Sequence, residues 1–195
     1  NGEFIREVTS GDLHSLNQKR AGLKTRKQAK TFIYAFLYGG GNARIGEIIN
    51  GTEEEGRKVK ERFLKNTPAL RIVQQKVKTK ARQQGFLKGL DGRRLEHRSL
   101  HSAFNLLLQS AGSIIVKKAT VTLHKELEAK GFKYGEDWSM VAHIHDEFQL
   151  EVKEDLANEI GRIAVQCIKD TQEVFGFRCP LDGEYKVGGN WAETH

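Results

Sequence analysis

Thr25-Arg26-Lys27-Gln28-Ala29-Lys30-Thr31-Phe32-Ile33-Tyr34-Ala35-Phe36-Leu37-Tyr38 reads as one helix with both ends marked. Thr25 can cap the N-terminus, and Gln28 three residues on completes a capping box. Gly39, Gly40 and Gly41 follow, and glycine commonly sits just past a helix C-terminus. Arg26, Lys30, Tyr34 and Tyr38 are each four apart, so they share one face in the order cation, cation, phenol, phenol. At the helical rise that face spans roughly 18 Å, about the length of an extended nucleoside triphosphate. The helix N-terminus carries the positive end of the dipole and favours anions. Basic residues there oppose the dipole, a local conflict that an anionic ligand would relieve. A solvated basic turn and core tyrosines fit the same spacing.

The chain has 195 residues, enough for one large domain or two small lobes. A net charge of +7 points to a polyanionic partner. No apolar run approaches a membrane span, and no signal peptide is read at the start. Cys167 and Cys179 do not make a disulfide framework, which fits a reduced, cytoplasmic setting. The text opens on Asn1 rather than Met and reads as a fragment of something longer.

Outward from the first helix, Ile45, Ile48 and Ile49 predict a short helix ended by Asn50-Gly51. Thr52 with Glu55 predicts another capped helix, with Val59 and Phe63 inward. Thr67-Pro68 opens a third, with Leu70, Val73 and Val77 inward and Gly85 as its stop. From Arg57 to Arg94 the charges are mostly Lys and Arg, which suits phosphate contact as well as a solvated face. Asp91-Gly92 is a hairpin-turn pair followed by Arg93 and Arg94. A long helix is predicted from about Ser102 to Lys130, with Phe104, Leu107, Leu108, Ala111, Ile114, Ile115 and Leu123 as its apolar stripe. Its Gly112 would mark close packing. His101, Asn105 and Gln109, four apart, form a polar stripe beside it that could read the minor groove without base preference.

Residues 139–152 predict a β-hairpin whose tip is His145-Asp146-Glu147. A carboxylate at such a tip can take an oxygen-seeking cation such as Mg²⁺, and an acidic turn is equally common. His143 and His145 share a strand face and could instead serve zinc or manganese. An amphipathic helix over Asp155 to Phe175 follows, then Cys179, Leu181, Tyr185 and Val187 alternate as a final strand, with Trp191 as a packing anchor.

Taken together, the Arg26–Gly39 run, Asp12-Leu13-His14 ahead of it, the His101–Asn105–Gln109 spacing, the His-Asp-Glu hairpin and the Gly189-Asn190-Trp191 ending resemble A-family DNA polymerases, the DNA polymerase I type, in the form found in short-tailed bacteriophages. The resemblance covers essentially the whole chain in order. It implies an α+β fold: helical fingers over residues 1–86 and the C-terminal part of a palm over 87–195, an antiparallel sheet backed by helices. It implies template-directed transfer of a deoxynucleotide to a primer 3′-hydroxyl. His14, Arg26, Lys30, Tyr34 and Tyr38 would bind the deoxynucleoside triphosphate, with Lys30 also catalytic, and the ligand would lie along the helix with its phosphates toward the acidic tip. Asp146 would bind Mg²⁺, with Glu147 its catalytic neighbour. Arg93, Arg94, His101, Asn105, Gln109 and His145 would meet primer–template DNA.

The family's other catalytic aspartate lies upstream of where Asn1 begins. A pair of divalent ions about 4 Å apart needs carboxylates from more than one strand. The chain alone is therefore expected not to polymerise until the missing N-terminal segment is supplied, in the same chain or a separate one. The setting implied is the host cytoplasm, with no membrane. The alternatives are a non-catalytic nucleic-acid-binding piece of a split enzyme, and a metal-dependent nuclease built on His143, His145 and Asp146.

Overall fold

The computed structural model describes residues 2–144 and 146–194, with the backbone alone at Glu3 and Phe4. The chain divides into two compact units between Gln109 and Ser110. The first unit contains helices α1 (Gly2–Thr9), α2 (Leu13–Ala21), α3 (Arg26–Leu37), α4 (Asn42–Ile48), α5 (Glu53–Lys65) and α6 (Pro68–Gln84). It also holds the short hairpin β1 (Leu87–Lys88) and β2 (Arg94–Leu95) and the start of α7 (Ala103–Ala129). The second unit holds the rest of α7, the hairpin β3 (Trp138–Ile144) and β4 (Glu147–Val152), α8 (Ala157–Phe175) and α9 (Trp191–Thr194). The fold is α+β with two antiparallel two-stranded sheets among the described residues. No described helix is long and apolar enough to cross a membrane.

Both capping boxes form. The Gln28 N–H donates to Thr25 Oγ1 at 3.1 Å, and Gln28 Oε1 accepts from the Thr25 N–H at 3.3 Å. Thr52 and Glu55 make the same reciprocal pair at 3.2 and 2.7 Å. Each box satisfies two N–H groups that a helix start would otherwise leave unpaired. Gly39, at φ 80°, ends α3 in a backbone conformation that side chains disfavour.

The inner face of α3 buries Ala29, Phe32 and Phe36 against Phe63 of α5. Phe63 meets Phe32 and Phe36 edge-on, at centroid distances of 5.1 and 5.2 Å, a favoured aromatic geometry. Since Ala29, Phe32 and Phe36 point inward, Lys30, Tyr34 and Tyr38 are turned outward. Gly56 lets the backbones of α4 and α5 touch, because a Cβ there would strike Asn42 and Gly46, and a Cβ on Gly46 would strike Thr52, the N-cap of α5. Phe63→Ala is expected to lower unfolding free energy by about 3–5 kcal/mol, since the ring is 1% exposed and its neighbours cannot close the gap. A urea titration measures this; a loss below about 1 kcal/mol would show that this cluster does not hold α3 to α5.

In the second unit, Leu123 and Leu127 of α7, Trp138 of β3 and Ile160, Ala164 and Cys167 of α8 form one core. The hairpin is thus backed by two helices. Several expectations fail in detail. Val73 is 47% exposed: the inward line on α6 runs Leu70, Val77, Ala81, and Val73 falls off its edge. Leu108 is 39% exposed on α7, where Ala103, Ala119 and Leu127 are buried instead. Gly112 has open space at its Cβ position, so it does not mark close packing. Strict alternation on β3 is broken by a register shift between Met140 and Ala142.

Residues 177–190 are not a strand. They make side-chain contacts to α8: Tyr185 lies over Gly161 and its hydroxyl reaches Asn158 at 3.3 Å, and Asp182 pairs with Lys169 at 3.1 Å. A strand requires a neighbouring edge to complete its hydrogen bonds, and side-chain alternation alone does not supply one. Trp191 is 48% exposed, and is therefore not a buried anchor.

Candidate functional site

The outer face of α3 lines an open cleft of about 500 Å³. Lys30, Tyr34 and Tyr38 lie along it, with Thr31, Ala35, Gly40 and Arg44. Three of the four residues on the predicted stripe are therefore brought together, with the two phenols 51% and 61% exposed. An exposed ring row beside an ammonium suits a ligand with a flat apolar part and an anionic part. Arg44 was not anticipated. The glycine turn after α3 reverses the chain, and the close α4–α5 crossing sets α4 so that its first turn reaches the cleft. The spacing of Arg44 from Tyr38 on the same stretch was the only available signal, and it crosses a turn.

Arg26 stands outside that lining. Its Nε donates to Asp12 Oδ2 at 2.8 Å. Asp12 caps α2, accepting from the backbone N–H groups of His14 and Ser15 at 3.1 and 3.2 Å. The side-chain hydrogen bonds from Arg26 and then Ser15 hold the Asp12 carboxyl well below the usual carboxylate range. The same bond to Asp12 raises the Arg26 guanidinium. His14 is half-buried in the first turn of α2, and its Nδ1 is buried without a hydrogen-bond partner among the described residues. Asp12 thus joins the start of the His14 helix to the start of α3.

The opposite end of α3 is gripped by side chains from other elements. The carbonyl of Leu37 accepts from Asn105 Nδ2 at 3.4 Å, that of Gly39 from His101 Nε2, and that of Gly40 from Lys60 Nζ at 3.3 Å. The Leu37 carbonyl ends the helix, carries partial negative charge and lacks a partner within it, so a donor stabilises it; the Gly39 and Gly40 carbonyls belong to the turn that follows. A carbonyl acceptor places the His101 proton on Nε2. Burial, with Lys78 nearby, pushes the Lys60 ammonium down. Gln109, the third of the polar stripe, is exposed. Two members of that stripe are therefore committed to α3. Lys60 was missed because a lysine twenty residues from its acceptor leaves no mark in sequence spacing.

On the small hairpin, Arg93 pairs with Asp91 at 2.7 Å, and Arg94 pairs with Glu96 at 3.3 Å while its guanidinium lies 4.5 Å from the Phe86 ring centre. Both arginines stay largely exposed.

At the β3–β4 tip, Asp146 is exposed in the turn. Glu147 begins β4 opposite Ile144, is half-buried, and accepts a hydrogen bond from Gln149 Nε2. His143 is exposed with its ring edge-on to Phe148. His145 lies outside the described residues, so its assignment to DNA or to metal is not placed. Among the described residues no group of three or more His, Cys, Asp or Glu could hold a metal ion. Mg²⁺ takes six oxygens in near-octahedral array. Asp146 can offer one or two, so the described residues do not by themselves fit a Mg²⁺ pair.

A family model described as DNA polymerase family A matches residues 1–193. The chain is 41% identical to a DNA-directed DNA polymerase of Enterobacteria phage T3, over 100% of this chain and 30% of that protein. It is 40% identical to the corresponding polymerase of Escherichia phage T7, with the same coverage. Against the thermostable DNA polymerase I of Thermus aquaticus the identity is 28%, over 97% of this chain and 23% of that protein. The chain thus spans about 30% of the length of the phage relatives. Among solved structures, the POL domain of Pol1 from M. smegmatis in complex with DNA primer-template and dNTP aligns with a TM-score of 0.75 at 20% identity. That alignment covers 91% of this chain and 34% of that one, and it supports the fold.

Proposed function

This chain belongs to DNA polymerase family A, and from that premise we propose that it is the C-terminal part of a DNA-directed DNA polymerase. Residues 1–86 act as fingers, and residues 87–195 contribute the C-terminal part of the palm. The observation that carries the reading is the outer face of α3, where an ammonium and two phenols line one cleft.

Lys30 supplies mobile positive charge for the triphosphate, and Arg26 with His14 meets the outer phosphates. Tyr34 takes the sugar and Tyr38 stands beside the templating pair. Charge-assisted donors aimed at phosphoryl oxygens stabilise the charge that develops there during transfer. Gln109, His101, Asn105, Arg93, Arg94 and His145 are assigned to primer–template DNA. For His101 and Asn105 this assignment competes with their present bonds to the end of α3. The His101 Nε2–H is already given to Gly39, whereas the Asn105 amide keeps a second N–H.

Asp146 is assigned as a Mg²⁺ ligand. The remaining oxygens come from outside the described residues, which we assign to an upstream palm segment. Asp146 would give one or two oxygens to a bound Mg²⁺, and the chemistry such an ion would supply is Lewis-acid stabilisation of charge at the reacting phosphate. The setting is the host cytoplasm, with a primer–template and deoxynucleoside triphosphates as partners.

Primer extension with Mg²⁺ and four deoxynucleoside triphosphates tests the reading. The chain alone is expected to add no nucleotides above background, and addition of the upstream polymerase segment is expected to restore synthesis. Robust extension by the chain alone would overturn the dependence on that segment. Failure of complementation, with DNA binding intact, would favour a non-catalytic binding piece.

A further inference from the structure

Asp12 uses its two oxygens differently. Oδ1 receives the backbone N–H groups of His14 and Ser15 and so begins α2. Oδ2 receives Arg26 Nε at 2.8 Å and Ser15 Oγ at 2.7 Å. A guanidinium is a rigid planar fork with five N–H groups. A carboxylate on Nε sets the plane of that fork from one edge. The Nη groups on the other edge have no acceptor among the described residues.

We propose that Asp12 is a positioning residue: it holds Arg26 through Nε so that the Nη pair faces the phosphate oxygens of a triphosphate, and it does so from the residue that also starts the His14 helix. This rests on the reading that Arg26 contacts the phosphates.

Two effects of Asp12 oppose each other. Its negative charge repels a triphosphate, and its bond orders the arginine. Arg26 and Asp12 side chains are 58% and 45% exposed, so water and salt screen the repulsion. Salt weakens the ionic part of the Asp12–Arg26 contact too, but the directional Nε–H···Oδ2 bond at 2.8 Å is short-range and still sets the plane of the fork. Positioning is therefore expected to outweigh the longer-range repulsion at physiological ionic strength.

The amide variant separates the two oxygens. In Asp12→Asn the amide oxygen keeps the α2 cap, for which Asn serves as well as Asp. The amide nitrogen then faces Arg26 Nε, donor against donor, and the hold on the fork is lost. Calorimetric titration of the chain with inorganic triphosphate at physiological salt is expected to show affinity lowered about 2- to 10-fold, with the unfolding midpoint unchanged. The Arg26 Nε–H resonance is expected to be sharp in the parent protein, where Asp12 holds it, and to broaden through exchange with water in the variant.

Because Asp12 acts through Arg26, the effect should vanish in an Arg26→Lys background, where no Nε–H fork exists to be held. Unchanged or tighter binding by Asp12→Asn overturns the proposal, as does an equal loss in both backgrounds. Arg26→Ala is the separate control. If it leaves triphosphate affinity intact, or if the parent chain does not bind triphosphate at all, the phosphate reading itself fails. If it weakens binding while Asp12→Asn does not, only the positioning role fails.

Discussion

Lys30→Ala, in a complete polymerase containing this chain, is expected to lower kcat by about 10²- to 10³-fold. Primer–template affinity should change by no more than about five-fold, as for loss of one exposed charge contact. The physical case starts from α3. Its inner residues Phe32 and Phe36 are 0% and 2% exposed and tie the helix to Phe63, so the outer face is presented by a rigid element. Lys30 stands exposed on that face, in the cleft, with no acidic partner among the described residues. Arg26, one turn earlier, is partly neutralised by Asp12. Lys27 lies off the cleft, so Lys30 is the α3 cation lining it, and its charge is available to a phosphoryl group as charge develops there. Single-turnover incorporation on a pre-bound primer–template separates the chemical step from DNA binding. An equal fall in DNA affinity would remove Lys30 from the nucleotide site and return it to a general phosphate-contact role.

Asp146→Ala is expected to reduce synthesis by about 10³-fold or more, the scale of losing several kcal/mol of charge stabilisation. Glu147→Ala should cost far less. The two neighbours differ in what already holds them. Asp146 is exposed in a turn, so its oxygens can be offered to a cation. Glu147 is half-buried at the start of β4 and already engaged by Gln149. Removing Asp146 also breaks no core contact, since the hairpin is held by Trp138, Met140, Phe148 and Leu150 against α7 and α8. Circular dichroism and primer–template binding should thus match the parent enzyme while extension is lost. Equal losses for the two substitutions would show that the tip acts as one acidic patch rather than through a single ligand.

These contrasts show where residue spacing stops being informative. Lys30, Tyr34 and Tyr38 were placed on one face by a period of four, and they do share a cleft. The same period put Arg26 with them, yet its Nε turns to a carboxylate fourteen residues away. Equal spacing likewise grouped His101, Asn105 and Gln109, but the first two reach back across more than sixty residues, to the carbonyl of Gly39 in the turn after α3 and that of Leu37 at its end. The alternation over 179–187 matched a strand pattern without supplying a strand partner.

What the amino-acid order settled alone were the features decided within one turn or one hairpin: the capping boxes at Thr25 and Thr52, the glycine stops at Gly85, Gly131 and Gly176, the Asp91-Gly92 turn, and the placement of Asp146 at a tip. Each depends on groups a few residues apart, whose meeting needs little chain closure. Tertiary structure alone decided which donors reach the end of α3, that Arg44 enters the cleft, and that Asp12 joins two helix starts. Those contacts require distant segments to pack first, and a hydrogen-bonding side chain takes whatever acceptor that packing brings within about 3 Å.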